Sequence, residues 1–325
     1  MIGEEDRLAA KPGIAPESGS RRRIIPAAGW FWAVAAVFFW GVMFPVGDLL
    51  LKEGSMPPAS VGAFRYLLAA PILFAVGICT RGWRAMLPHG ARDWFAVSAL
   101  GLVGTALMAQ FLFEAQRTIA PVNASLMEAY VPMQVLVLSF LGGTKISLRE
   151  AASVAAGFAG SLLVLKALDG SGFRLGAISL GDLMAFLSGL CWAVYTAWGR
   201  GAAKRMGGLA FAAWTMLWGG VWLALGQFAA GKPPVPPATR LEWGCMAFLA
   251  IFPTCISFLG WNEAQKDVSL AHLSFMEYFP PVVAAMTGVA FFGETVTRWQ
   301  WLGLAVILWS ARLQIPRPAA RKTGA

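Results

Sequence analysis

The amino-acid sequence predicts an all-α integral membrane protein whose ten transmembrane helices form two inverted five-helix repeats. Three observations carry that expectation: an apolar composition, recurring apolar runs of spanning length, and an internal duplication. Of 325 residues, 58% are hydrophobic and 13% charged, against roughly 25% charged and 45–50% apolar in soluble domains. Runs of about 20 apolar residues, enough to cross ~30 Å of hydrocarbon, recur from residue 27 almost to the C-terminus with short polar breaks.

In chain order, residues 1–26 carry Glu4, Glu5, Asp6, Lys11 and Arg21–Arg22–Arg23 among Pro and Gly, and predict a disordered cytoplasmic tail. The first apolar run is long and Trp-rich, unlike the short core of a secretory signal, so it is expected to remain as an uncleaved first span. The pattern predicts helices near 27–48, 58–79, 93–114, 120–142 and 148–168 in the first repeat (27–168). In the second repeat (178–314) they fall near 178–200, 208–229, 242–264, 270–292 and 298–314, before a cytoplasmic tail over 315–325.

The net charge of +9 reports topology. With the N-terminus in the cytoplasm, cytoplasmic segments hold about 18 of the 26 basic residues and the opposite side about seven, while Arg65 lies inside a span. That positive-inside bias predicts an inner (plasma) membrane protein with both termini cytoplasmic. A nucleic-acid partner would need a basic face interleaved with aromatics on a soluble module, and none is present. Cys79, Cys191, Cys245 and Cys255 lie in apolar stretches without a C-x-x-C pair. They predict buried free thiols and neither a disulfide framework nor a metal site.

The duplication is read from two stretches, "FEAQRTIAPVNASLMEAYVP" at Phe113 and "NEAQKDVSLAHLSFMEYFPP" at Asn262, which align without a gap at an offset of 149 residues. Glu114, Ala115 and Gln116 meet Glu263, Ala264 and Gln265; Ser125, Met127, Glu128 and Pro132 meet Ser274, Met276, Glu277 and Pro281. Upstream, Trp94 meets Trp243 and Thr105 meets Thr254. With a small shift, "FFWGVMFPVGD" at Phe38 pairs with "LCWAVYTAWGR" at Leu190, setting Trp40 on Trp192. Five helices are an odd number, so the second repeat enters the membrane inverted. Inverted repeats are the architecture of alternating access, with a site near the midplane between the halves.

The stretch "AIFPTCISFLGWNEAQKDVSLAHLSFMEYFPPVVAAMTGVAFFGETVTRWQWLGLAVIL" (250–308) resembles the second half of an EamA-type member of the drug/metabolite transporter superfamily. "GDLMAFLSGLCWAVYTAWGR" at Gly181 and "PASVGAFRYLLAAPIL" at Pro58 resemble the early helices of each half. The resemblance covers roughly residues 27–314. It implies a ten-helix inner-membrane carrier, commonly an exporter of amino acids or other small metabolites, with its cavity between the halves. The sequence departs from the family where Gly293–Glu294 ends the ninth helix but Thr144–Lys145 ends the fourth, and Glu294 reads as a helix-end residue. The paired Glu128 and Glu277 are also not part of the common family pattern.

Charge near the centre of a span costs about 2.5–3.5 kcal/mol on insertion scales, so those present need a partner or a watery cavity. Glu128 and Glu277 lie about seven or eight residues into the fourth and ninth helices. At ~1.5 Å per residue that is close to the midplane. Pro132 and Pro281, four residues on, remove the hydrogen bond to the Glu128 and Glu277 carbonyls and predict hinges in the cavity wall. Each glutamate either bonds a neighbouring helix or serves the cavity. In the second role it can hold a proton near neutral pH and release it when water or a cationic group arrives. Arg65 either pairs with a buried glutamate or clamps a substrate carboxylate or phosphate. Glu114 and Glu263, with Gln116 and Gln265 beside them, lie near helix ends, where Arg117 and Lys266 three residues on suggest solvated pairs.

Among 15 tryptophans, Trp30, Trp83, Trp94, Trp243 and Trp299 fall near helix ends and predict an interfacial belt. Trp40 and Trp192 lie deeper and predict cavity walls for an aromatic or cationic substrate. His89 falls in a loop and His272 near a helix start, with no metal-spaced partner. No H-E-x-x-H or G-x-S-x-G motif is present, and "GLVGTAL" at Gly101 lacks the P-loop lysine and reads as a close-packing stretch. The sequence therefore predicts a secondary transporter without cofactor, monomeric or homodimeric, most consistent with an amino-acid exporter. An exporter of cationic drugs or polyamines is the alternative within transport, and a channel or non-transporting scaffold the alternative outside it.

Overall fold

The computed structural model of the chain describes residues 27–128, 130–143, 147–164, 168–169, 172–173, 178–268, 276, 279–293 and 295–314. Glu277, Glu294, His272, Thr144–Lys145, the two tails and the side chains of Glu263 and Gln265 lie outside that description. The regular secondary structure of the described residues is helical apart from one two-residue ladder, in which Leu168–Asp169 (β1) pairs antiparallel with Gly172–Phe173 (β2).

The helices are α1 (Ala27–Glu53), α2 (Pro58–Arg81), α3 (Ala91–Gln116), α4 (Pro121–Glu128), α5 (Val131–Leu141) and α6 (Leu148–Val164). They continue with α7 (Leu180–Met206), α8 (Gly208–Ala229), α9 (residues 240–267), α10 (Pro280–Phe292) and α11 (Arg298–Gln314). By length and composition, six of these are long and apolar enough to cross a membrane: α1, α2, α3, α7, α8 and α9. The α1 helix runs past its predicted end because Lys52 reaches back to Asp48 at 2.9 Å, an i,i+4 pair in the last turn, and a cation there also suits the helix dipole. Lys204 and Arg205 likewise place positive charge in the last turn of α7.

Two helices contain π turns, at Leu102–Leu107 in α3 and Ala250–Ile256 in α9. They coincide at the 149-residue offset of the sequence duplication. Composition does not announce them, since a π turn is a change of hydrogen-bond register within an apolar run.

Packing follows the duplication. The first helix of each half lies on the third of the other (α1 on α9, α7 on α3), α2 lies on α8, and α6 on α11. Small residues permit the close approaches, as is usual where lipid supplies no hydrophobic drive between helices. A Cβ on Gly160 of α6 would stand 2.9 Å from the Gly303 carbonyl of α11, and one on Gly101 of α3 would stand 2.7 Å from Trp218 of α8. A Cβ on Gly219 would stand 2.0 Å from the Thr105 hydroxyl, so Gly219→Ala is expected to lower stability by about 1–3 kcal/mol, read as a lower melting temperature in detergent. An unchanged melting temperature would mean that α3 and α8 yield without cost.

Two carboxylates, also 149 residues apart, clasp the halves. Glu242, third residue of α9 and 1% exposed, accepts from Ser55 N (2.6 Å) and Ser55 Oγ (2.9 Å) with one oxygen, and from Ala238 N (2.6 Å) and Thr239 N (2.9 Å) with the other. Asp93, third residue of α3, instead accepts from Arg205 Nε at 2.9 Å and from Arg205 Nη2, with His89 Nδ1 at 3.9 Å. Each joins the start of a third helix in one half to the end of the first helix in the other.

Of the four thiols, Cys245 and Cys255 are buried and Cys191 is half-buried. Cys79 corrects the expectation of burial. It is exposed, in the last turn of α2 beside the equally exposed Thr80 and Arg81.

Candidate functional site

A cavity of about 70 Å³ opens between the two halves and is lined by residues of both. Trp40 and Met43 of α1, Arg65 and Tyr66 of α2, Thr105 and Met108 of α3, Glu128 at the end of α4, Trp192 of α7 and Phe258 of α9 line it. Four sequence-predicted residues, Trp40, Arg65, Glu128 and Trp192, thus meet at one place. Glu277, the fifth, falls among the residues outside the description, although Pro280 close by lines the same cavity.

The aromatic wall is continuous. Trp40 packs edge-on against Trp192 at 6.4 Å and Phe258 at 6.0 Å, and Trp192 stacks on Tyr195 at 5.1 Å. The Trp40 indole N–H is satisfied by the carbonyl of Pro253 in the α9 π turn at 2.9 Å. That bond fixes the ring while leaving its faces to the cavity and its aromatic neighbours.

Arg65 is 2% exposed. Its Nε donates to Thr254 Oγ1 at 2.8 Å, its Cζ lies 5.3 Å from the centroid of the Tyr66 ring, and its Nη1 has no partner. Glu128 is half-buried and, among the described residues, its carboxyl makes no hydrogen bond or ion pair. Two opposite charges therefore share one cavity without joining each other. Arg65 faces Glu128 electrostatically, as one sequence alternative expects, but no contact ion pair joins them, and no bond from Glu128 to a neighbouring helix is seen among the described residues.

Glu128 owes its position to a helix break. The α4 helix ends there, Tyr130 N turns back to Met127 O at 3.2 Å, and α5 begins at Val131. Pro132 stands in the first turn of α5, and Pro281 in the first turn of α10. The expectation was of prolines within continuous helices. The prolines start segments instead, at positions where a missing N–H costs nothing. The negative end of the α4 dipole then adds to the Glu128 carboxyl, an arrangement that favours a cationic group alongside.

Glu114 accepts from Gln110 at 3.2 Å and lies 3.5 Å from Arg117, a helix-end cluster away from the cavity lining. Gln116 is buried and donates to the Phe44 carbonyl at 2.8 Å, joining α3 to α1. Sequence reasoning singled out neither Tyr66 nor Phe258. It noted Thr105 and Thr254 only as a matched pair, yet Thr105 lines the cavity and the Thr254 hydroxyl holds Arg65.

Among the described residues, no group of three His, Cys, Asp or Glu side chains is arranged to hold a metal. A family model described as the EamA-like transporter family matches the chain twice, over residues 27–166 and 179–314. The chain is 27% identical over 293 residues to the uncharacterized inner membrane transporter YedA of Escherichia coli, covering 90% of this chain and 91% of that one. It is 26% identical to the uncharacterized transporter YyaM of Bacillus subtilis, covering 81% and 88%. A WAT1-related chloroplastic protein of Arabidopsis thaliana is 27% identical, covering 86% and 67%. One crystal structure shares the fold with a TM-score of 0.62 at 21% identity, covering 88% of this chain and 96% of that one.

Proposed function

This chain belongs to the EamA-like transporter family, and from that premise we propose that it is an inner-membrane exporter of amino acids or related small amine-bearing metabolites. It works by alternating access between inverted five-helix repeats, 27–168 and 178–314, with both termini in the cytoplasm and proton coupling through Glu128 and Glu277. The carrier is a multi-pass membrane protein, and the reading involves no enzymatic step and no cofactor.

One observation carries the substrate class: Arg65 and Glu128 line the same cavity as opposite charges not joined by a hydrogen bond or contact ion pair. A zwitterion answers both, its carboxylate on the guanidinium and its amine on the carboxylate, while the aromatic wall takes an apolar side chain. The two family matches and the exchanged pairing of helices support the inverted halves, and the printed location of the Escherichia coli relative supports the inner membrane. Exchange of contacts between two nearly equivalent halves is how such carriers expose a central site to each side in turn.

A second reading, export of cationic drugs or polyamines, draws on the negative helix end at Glu128 and the aromatic wall, and leaves Arg65 idle. Proteoliposomes decide between carrier and pore. Saturable uptake of labelled phenylalanine, accelerated by unlabelled amino acid inside, is expected. Flux that rises linearly with concentration, without trans-acceleration, would overturn the carrier reading.

A further inference from the structure

Arg65 is the eighth residue of α2 and Thr215 the eighth residue of α8, counted from the first residue of each helix. Each is met by the matched threonine of the other half's π turn, Thr254 on Arg65 and Thr105 on Thr215. One joint has thus been built twice and chemically altered once. At the Thr215 copy it is neutral: the Thr105 hydroxyl lies 2.5 Å from the Gly101 carbonyl and 3.0 Å from the Thr215 carbonyl, and the Thr215 hydroxyl is taken up by Phe211 O and Tyr195. At the Arg65 copy the joint holds a full charge.

The hydroxyl of Thr254 donates to Leu249 O, five residues back along the π turn, at 2.7 Å. Its proton is therefore committed to its own helix and its lone pair is aimed at Arg65 Nε. A guanidinium held this way is oriented by a neutral acceptor and not by an ion pair, the Glu128 carboxylate attracting it only across the cavity. Tyr66 covers one face, Thr254 fixes the Nε edge, and among the described residues Nη1 is left without a partner.

We propose that Thr254 is the positioning residue of an anion subsite at Arg65, so that the substrate carboxylate docks on the α2–α9 side of the cavity and the matching α8–α3 side stays neutral. The inference rests on the amino-acid reading above. It adds the residue that makes Arg65 usable and the side of the cavity on which the carboxylate sits.

The test compares phenylalanine with 2-phenylethylamine, which lacks only the carboxylate, as competitors for transport in proteoliposomes. Thr254→Val removes the hydroxyl at nearly constant shape. The apparent affinity for phenylalanine is expected to fall about tenfold while that for the amine stays unchanged, and Thr254→Ser is expected to restore the ratio. Arg65→Lys keeps the charge but has no Nε to engage Thr254. Its loss of discrimination should not deepen when Thr254→Val is added, which removes the possibility that the valine acts only on folding.

Equal losses for both competitors, or a failure of serine to rescue, would overturn the positioning role. An intact ratio in Thr254→Val beside a collapsed ratio in Arg65→Lys would overturn it while sparing the amino-acid reading. If Arg65→Lys and the wild type treat the two competitors alike, the amino-acid reading falls and takes the subsite with it.

Discussion

Liposomes carrying Glu128→Gln are expected to lose substrate accumulation driven by a pH gradient, to the level of protein-free liposomes, and to exchange substrate at equal pH only with weakened affinity. Glu128 sits where the α4 helix stops, lines the cavity, and among the described residues makes no hydrogen bond or contact ion pair with its carboxyl. An unpaired charge at membrane depth costs about 2.5–3.5 kcal/mol on insertion scales. A proton or a substrate amine offsets that cost, and the two compete for one position. A carrier that must shed the proton to take the amine, and regain it to return empty, is coupled by that competition alone. Glutamine keeps the shape and hydrogen-bonding capacity of the protonated acid but cannot release the proton. Exchange never requires the empty, protonated carrier to cross, so what remains of it needs a higher substrate concentration, the amine having lost its carboxylate. Glu277→Gln in the same assay tests the repeat-matched residue. Gradient-driven accumulation that persists in both variants would remove the glutamates from the coupling.

The second expected result separates the two substrate readings. In Arg65→Gln the affinity for an amino acid should fall about 10- to 150-fold, the range for losing a charged hydrogen-bond pair worth about 1.5–3 kcal/mol. The affinity for putrescine, a pure cation, should not fall, and removing a positive charge from the cavity leaves Glu128 freer to receive it. Competition against labelled phenylalanine measures both. If putrescine binds tightly to the wild type and the amino acid is indifferent to Arg65, the cation reading replaces the zwitterion reading.

What the sequence made legible is what a bilayer demands of it. Apolar runs of spanning length locate α1, α2, α3, α7, α8 and α9 to within a few residues, because the cost of exposing polar backbone in lipid leaves helices as the available solution. The rarity of charge in such runs likewise isolates Arg65 and Glu128, and the alignment of the halves isolates Trp40 and Trp192. What was not legible is hydrogen-bond register. "GLVGTAL" and "AIFPTCI" read as ordinary apolar helix, and only coordinates reveal the π turns that turn Thr105 and Thr254 toward the opposite half. The reading of "GLVGTAL" as a close-packing stretch was sound: a Cβ on Gly104 would stand 2.4 Å from Tyr195. The break after Glu128 was read as a proline kink because a proline at residue 132 has the same one-letter signature whether it bends a helix or begins one. Tyr66 and Phe258 escaped notice because an aromatic that lines a cavity and one that fills a core look alike in sequence.

The two clasps, Glu242 on Ser55 and Asp93 on Arg205, descend from one position but respond to different agents. Dissolved ions weaken attraction between charges over a screening length of about 8 Å at 0.15 M, and the Arg205 side chain is 38% exposed. Uncharged N–H and O–H donors around Glu242 offer them no counter-charge to screen. Raising ionic strength therefore loosens one joint between the halves and leaves its twin intact. Salt concentration becomes a selective handle on a molecule whose sequence reads as nearly symmetric.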